Sequence, residues 1–246
     1  MTIADRVVLI TGGKRIGHVV ARTLAVRGAH VALSYRASRT EAEATVADVR
    51  AAGRNATLVR ADVAVADDCA RLIETTVSEL GRLDVLINMA SIYEPVAFAA
   101  MTERDWQRNI DINVRSVFLC TKAAVPHMRA AGGGRVINFA DWLARSGRPA
   151  YPGYVAYYTA KAAVIALTEA LALELAADQI LVNAIAPGPI VPPPDLTAEE
   201  RDHVATLTPV GRWGGEAEVA KAVSLLIETD FITGETIRVD GGRHVR

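Results

Sequence analysis

A chain of 246 residues, 51% of them hydrophobic, is long enough for one full core, and its formal net charge of -1 gives no electrostatic basis for binding nucleic acid or another polyanion. Cys69 and Cys120 are too few for a disulfide framework and lack C-x-x-C spacing, so they read as core thiols in a reducing compartment. No apolar run approaches the roughly 18 residues of a membrane span, and Asp5 and Arg6 interrupt any signal-like core, so a soluble cytoplasmic protein is expected.

In chain order, short apolar runs at residues 7–10, 31–33, 57–59, 85–87, 135–139, 181–185 and 236–239 are strand candidates. Helix-length stretches rich in Ala, Val and Leu lie between them, two opened by capping-box signals at Thr102-x-x-Asp105 and Thr197-x-x-Glu200. Uniformly apolar strands joined by helices indicate a mostly parallel, seven-stranded sheet covered on both faces, an α/β doubly wound architecture. No linker, repeat or low-complexity tract divides residues 1–246, which are expected to form a single domain. Gly132-Gly133-Gly134 reads as a helix-to-strand turn, and Pro192-Pro193-Pro194 interrupts a loop expected to border the substrate.

Ligands of such sheets sit beyond the carboxyl ends of the strands, with phosphate at the first strand-to-helix turn. That turn is Thr11-Gly12-Gly13-Lys14-Arg15-Ile16-Gly17, whose glycines let backbone approach a pyrophosphate at a helix N-terminus. The end of the second strand selects between dinucleotides: an acid there suits the 2'-hydroxyl of NAD, a base the 2'-phosphate of NADP. Ser34-Tyr35-Arg36-Ala37-Ser38 has no carboxylate until Glu41, so Arg36, with Ser38 and Lys14 or Arg15, favours NADPH. The plainer alternatives are a glycine-rich turn without ligand and cations that face solvent.

Tyr157 and Lys161 are four residues apart at the start of an Ala/Leu-rich helical segment, which puts a phenol and an ammonium on one face. A neighbouring cation is expected to favour the phenolate and bring the phenol into range for proton transfer at neutral pH. Asn113 lies inside another helical stretch, where an amide has little intrinsic reason to be, although a buried structural asparagine would look the same.

Together these residues resemble the short-chain dehydrogenase/reductase family over essentially the whole chain. Thr11-Gly12 to Gly17 resembles its glycine-rich turn, Asp62-Val63 its adenine-contacting pair, and Asn88-Met89-Ala90-Ser91 its N-N-A-G segment. Tyr157 and Lys161 match its Y-x-x-x-K, Pro187-Gly188 with Ile190 its loop beside the nicotinamide, and Val239-Asp240-Gly241-Gly242 its C-terminal signature. The resemblance implies a Rossmann fold, nicotinamide-dependent oxidoreduction and a homotetramer, to which the Ala-rich segment 160–177 would contribute close helix packing. It also implies that Tyr157 passes the proton, that Lys161 lowers its pKa and binds the nicotinamide ribose, and that the Asn113 carbonyl holds a relay water.

Three departures stand out. The glycine-rich turn counts seven residues from Thr11 to Gly17 where the family has eight, and Met89 replaces the second asparagine of N-N-A-G. The third is chemical: Asn138-Phe139-Ala140-Asp141 puts a carboxylic acid where most relatives have a serine that donates to the substrate carbonyl. An ionised carboxylate only accepts and would repel a developing alkoxide unless an elevated pKa kept it protonated. Asp141 therefore suits a substrate with N–H donors, and with Arg15 in the turn and Tyr35-Arg36 it resembles the pteridine reductase branch. Tyr93 or Trp142 would then stack on the pterin, since Ile92 is not aromatic, and Arg15 would line its polar rim. The sixteen residues from Asp141 to Tyr157 exceed the usual spacing, so the loop between must bulge, or Asp141 turns to solvent. Three functions follow: an NADPH-dependent pteridine reductase, an NADPH-dependent reductase of a 3-oxoacyl or sugar ketone, and a non-catalytic NADPH-binding sensor. The intact Asn113, Tyr157 and Lys161 weigh against the last.

Overall fold

The computed structural model describes residues 1–146 and 152–245. Each strand candidate forms a strand: β1 (Val7–Thr11), β2 (His30–Tyr35), β3 (Ala56–Arg60), β4 (Val85–Asn88), β5 (Gly134–Phe139), β6 (Ile180–Pro187) and β7 (Thr236–Val239). They build one seven-stranded sheet in the order β3-β2-β1-β4-β5-β6-β7, with every neighbouring pair parallel. The helices are α1 (Ile16–Val26), α2 (Arg39–Ala51), α3 (Ala66–Leu80), α4 (Glu103–Ile110), α5 (Ser116–Ala130), α6 (Trp142–Ser146), α7 (Val155–Leu175), α8 (Ala198–Leu207) and α9 (Glu216–Glu228).

Alternation along each strand supplies both faces of the sheet. Val8, Ile10, Val31, Leu33, Ile87 and Ile185 point to one side, where Val20 and Leu24 of α1 and Val223, Leu226 and Ile227 of α9 cover them. Leu9, Ala32, Leu86, Val136 and Val182 point to the other, against Leu72 and Ile73 of α3, Ala124 and Met128 of α5 and Leu175 of α7. Cys69 and Cys120 are free thiols buried on this second side. Among the described residues no helix is long and apolar enough to cross a membrane.

Both expected capping boxes form. Thr102 Oγ1 accepts from the Asp105 N–H while the Asp105 carboxylate accepts from the Thr102 N–H, and Thr197 and Glu200 repeat the exchange at α8. Between α4 and α5 the helix widens into a π-helical segment, Asp111–Arg115, closed by the Ser116 N–H donating to the Asp111 carbonyl. The bulge expected between Asp141 and Tyr157 begins as α6, a short helix absent from the sequence reading; residues 147–151 of that stretch lie outside the described residues.

Because the strands are dry on both faces, their side chains carry much of the stability. Leu86→Ala, at the centre of the second core face, should lower unfolding free energy by about 2–5 kcal/mol through lost burial and an unfilled cavity, read by chemical denaturation at fixed protein concentration.

Candidate active site

The strand order reverses between β1 and β4, and beyond their carboxyl ends lies a cavity of about 340 Å³. Gly12, Gly13 and Lys14 of the first turn line it, with Tyr35, Arg36 and Ser38 after β2, Asp62 and Val63 after β3, and Ala90 to Ile92 after β4. Gly12 has φ 70°, and a Cβ there would stand 3.0 Å from the Ala90 Cα, so only glycine allows this close crossing of β1 and β4. The Gly12 N–H donates to Ser34 Oγ at 3.0 Å, and the Thr11 hydroxyl accepts from the Met89 and Ala90 N–H groups. Both cations of the cavity have carboxylate partners: Lys14 Nζ lies 2.9 Å from Glu41, and Arg36 lies 3.5 Å from Asp62.

Several residues expected at the cofactor or substrate do not line that cavity. Arg15 takes φ 58° and turns its guanidinium away, donating to the carbonyls of Val191 and Pro192, so it fastens the shortened turn to the proline-rich loop. Ile16 opens α1 and packs against the core, and Gly17 sits under Met89, whose sulfur would meet a Cβ at 3.2 Å. Met89 thus packs where the family has a hydrogen-bonding amide. Asn88 is buried within the sheet, donating to Asn138 Oδ1 at 2.9 Å and Thr121 Oγ1 at 3.3 Å, while Asn138 donates to Thr168 on α7. Ile190 is buried in the core and lines a separate cavity with Pro189, Arg212 and Arg238. Trp142 is buried with Arg243 lying 5.6 Å over its ring, which removes that face from pterin stacking. Pro187 ends β6, and Gly188 is a close crossing with β7: its N–H donates to the Val239 carbonyl, and a Cβ would meet Asp240 at 2.6 Å.

The proton-transfer residues do converge. Tyr157 and Lys161 occupy the first turns of α7, and Asp141 follows β5 at the head of α6, where it accepts from the Leu143 N–H at 2.9 Å. The Tyr157 hydroxyl donates to Asp141 Oδ2 at 2.8 Å, so the carboxylate faces the phenol and not solvent. Lys161 Nζ donates to the Phe139 carbonyl at 2.7 Å and lies 5.7 Å from the centre of the Tyr157 ring.

Burial governs the electrostatics of this trio. It pushes the Tyr157 phenol well above its usual pKa, and the Asp141 carboxylate adds to the rise. The direction is opposite to the lowered phenol expected from the Lys161 neighbour. Burial likewise raises Asp141, opposed by its bonds from Leu143 and Tyr157, and lowers Lys161 to about 8.

Asn113 lies in the π-helical segment, 1% exposed. Its amide accepts from Ser91 Oγ at 2.6 Å and from the Ile92 N–H, and donates to the Ile92 carbonyl and to Asn109, clamping the loop after β4. That loop carries Tyr93, half-exposed, stacked on Tyr154 with centroids 4.4 Å apart and set edge-on to Tyr157 at 4.8 Å. Ser34 and Ser91, present in the sequence reading only inside longer motifs, supply hydrogen bonds here, and Tyr154 supplies a ring stack. A serine ahead of Tyr35-Arg36 and a third tyrosine near Tyr157 were the available signals.

Residues 12–244 match the family model described as enoyl-(acyl carrier protein) reductase. The 3-oxoacyl-[acyl-carrier-protein] reductase FabG of Staphylococcus aureus is 38% identical over 242 residues, covering 96% of this chain and 97% of its own. A 3-oxoacyl-[acyl-carrier-protein] reductase of Synechocystis sp. is 40% identical over 246 residues, with 98% and 97% covered. Among solved structures, a short-chain dehydrogenase/reductase from Serratia marcescens superposes with a TM-score of 0.92 at 32% identity, over 99% of this chain and 100% of that one. A blue fluorescent protein from a metagenomic library, solved in complex with NADPH, gives 0.90 at 31% identity over 99% of each chain.

The trio generates a pH signature. With Lys161 near 8, kcat/KM should fall on the alkaline side as that ammonium loses its proton. Asp141 supports the Lys161 charge, so Asp141→Asn should move the alkaline limb to lower pH. An unmoved limb would separate the two groups.

Proposed function

Because this chain belongs to the short-chain dehydrogenase/reductase family, we propose that it is an NADPH-dependent reductase of a small carbonyl substrate of the 3-oxoacyl type, with Tyr157 as proton donor. The observation that carries this reading is the buried Tyr157, hydrogen-bonded to Asp141, with Lys161 one helical turn away. The family relationship to 3-oxoacyl reductases supports this substrate class ahead of a pteridine.

The cavity suits the adenosine part of a nicotinamide dinucleotide. Glycine backbone at Gly12 and Gly13 approaches closely, Asp62 and Val63 bound the adenine side, and Lys14, Arg36 and Ser38 bound the place of a 2'-phosphate. When bound, the cofactor supplies the hydride. Tyr157 delivers its phenolic proton to the carbonyl oxygen, so hydride and proton together give the alcohol. Lys161 would bind the nicotinamide ribose, the backbone carbonyl of Asn113 would hold a water able to return a proton to Tyr157, and Pro187 and Gly188 would border the nicotinamide. Asp141 stands at the position of the family serine and holds the Tyr157 hydroxyl in place by accepting from it.

A second reading keeps the pteridine substrate. It is favoured by Asp141, whose ionised form accepts from N–H donors, and by the Tyr93–Tyr154 stack, a flat aromatic wall beside Tyr157. A non-catalytic NADPH sensor has no need of the buried Tyr157–Asp141 bond. We further propose a cytoplasmic homotetramer of single-domain subunits, consistent with two buried free thiols and the small residues of α7; light scattering that gives a monomeric mass at micromolar concentration would overturn the assembly.

Loss of NADPH absorbance over a panel of 3-oxoacyl thioesters, simple ketones and dihydropterins tests the substrate. Turnover of a 3-oxoacyl thioester or ketone is expected, with Asp141→Ser retaining it; turnover of dihydropterins alone, lost in Asp141→Ser, would replace the first reading by the second. Tyr157→Phe should remove most turnover while leaving NADPH binding nearly intact, since only the proton-bearing oxygen is lost. A charge-assisted contact to the 2'-phosphate is worth roughly 1.5–3 kcal/mol, so NADPH should bind about tenfold or more tightly than NADH. Arg36→Asp should narrow or reverse that ratio.

A further inference from the structure

Neither cation of the cavity waits unopposed. Arg36 is held by Asp62, which belongs to the cavity wall beside Val63, on the side assigned to adenine. Lys14 is held by Glu41, which comes from a different place: the first turn of α2, three residues beyond Ser38. Glu41, Lys14, Gly13, Ser34 and Ser38 share a narrow recess that opens beside the main cavity. Ser38 stands at the head of α2 without bonding a helix N–H through its side chain. The bond from Lys14 keeps the Glu41 carboxyl below the usual carboxylate range, so it is ionised at neutral pH.

An anion that settles among Lys14, Arg36 and Ser38 therefore meets a fixed negative charge already bound to one of its cations. Before binding, that charge neutralises Lys14. Afterwards it stands beside the phosphate as a like charge, and specificity can be set by such opposition as much as by attraction. A 2'-phosphate near neutral pH feels both effects, whereas a 2'-hydroxyl feels almost neither.

We propose that Glu41 is a cofactor-selectivity residue that works against the 2'-phosphate, restraining NADPH affinity through Lys14 while leaving NADH affinity alone. The proposal rests on the NADPH reading above. It assigns Glu41 no contact with the reacting atoms; its effect passes through a charge pair at the far end of the cofactor from Tyr157.

The test is equilibrium binding followed by nucleotide fluorescence, which needs no turnover. NADPH and NADH are titrated into the parent protein, Glu41→Gln, Lys14→Ala and the double variant. Glu41→Gln keeps the side chain's length and removes only its charge. It should tighten NADPH by about threefold to tenfold, the range expected when an exposed ion pair and a like-charge contact are both relieved. NADH should change by less than about twofold, since its hydroxyl carries no charge. In the Lys14→Ala background the gain from Glu41→Gln should shrink markedly, because the competition for Lys14 is gone.

If the parent prefers NADPH but Glu41→Gln leaves both constants unmoved, weakens NADPH, or tightens both nucleotides alike, the role of Glu41 is overturned and the cofactor reading stands. A gain of the same size with and without Lys14 overturns it too, since the charge pair would then not be the route. If the parent binds the two nucleotides equally, the cofactor reading itself falls and this proposal with it.

Discussion

A parallel sheet covered on both faces has no water to offer its polar groups except at its ends, so polar side chains near the strand termini must satisfy one another. In this chain that requirement is met by a relay of amides and hydroxyls: Thr11 between β1 and β4, Asn88 between β4 and β5, and Asn138 between β5 and α7. An unsatisfied buried amide costs about 1–3 kcal/mol, so the relay holds neighbouring strand ends together and sets the seat of α7 against β5. The position of Tyr157 follows from it. The helix that carries Tyr157 and Lys161 is tied through Thr168 to the same strand that ends beside Asp141, and the 2.8 Å bond between phenol and carboxylate is made across that junction.

The architecture was largely legible in the sequence because it depends on periodicity and on local chemistry. Apolar strand runs have few alternatives once helices separate them, and Thr102–Asp105 and Thr197–Glu200 announce helix starts within four residues of chain. Tyr157 and Lys161 were legible for the same reason, since their spacing alone puts them on one helical face. The side chains that went elsewhere are those whose direction is set by distant parts of the chain. Arg15 is drawn to Pro192, Trp142 is covered by Arg243, Asn88 is taken up by Asn138, and Ile190 sinks into the core. No local pattern encodes those partners. Helix α6 is an intermediate case: Asp141 is a sound helix-starting residue, but its functional position drew attention from its capping one.

The protonation of the trio was the least legible property. Spacing shows that a cation stands near a phenol, and from that a lowered phenol pKa follows. It does not show how much water both groups lose. At 6% exposure for Tyr157 and 3% for Lys161, desolvation dominates, and the phenol moves up while the ammonium moves down. The carboxylate at Asp141 is the third party that spacing could not weigh, because it opposes ionisation of the phenol and supports ionisation of the lysine. A serine in its place would do neither, so this one substitution retunes both partners without touching the Y-x-x-x-K spacing.

The π-helical segment at Asp111–Arg115 has a geometric consequence for the chain on either side of it. A widened turn accommodates one more residue than an α-helix would, and at 3.6 residues per turn that offsets the two flanking helices by about 100° in phase. Upstream, α4 keeps Asn109 aligned with Asn113 and the loop they hold; downstream, α5 resumes with Cys120, Ala124 and Met128 turned to α3. The extra residue works as a coupling between two shafts that need different orientations. Removing any one residue between Asp111 and Arg115 would leave both helices intact as helices and rotate one of them off its seat, so that either the β4 loop or the second core face loses its register.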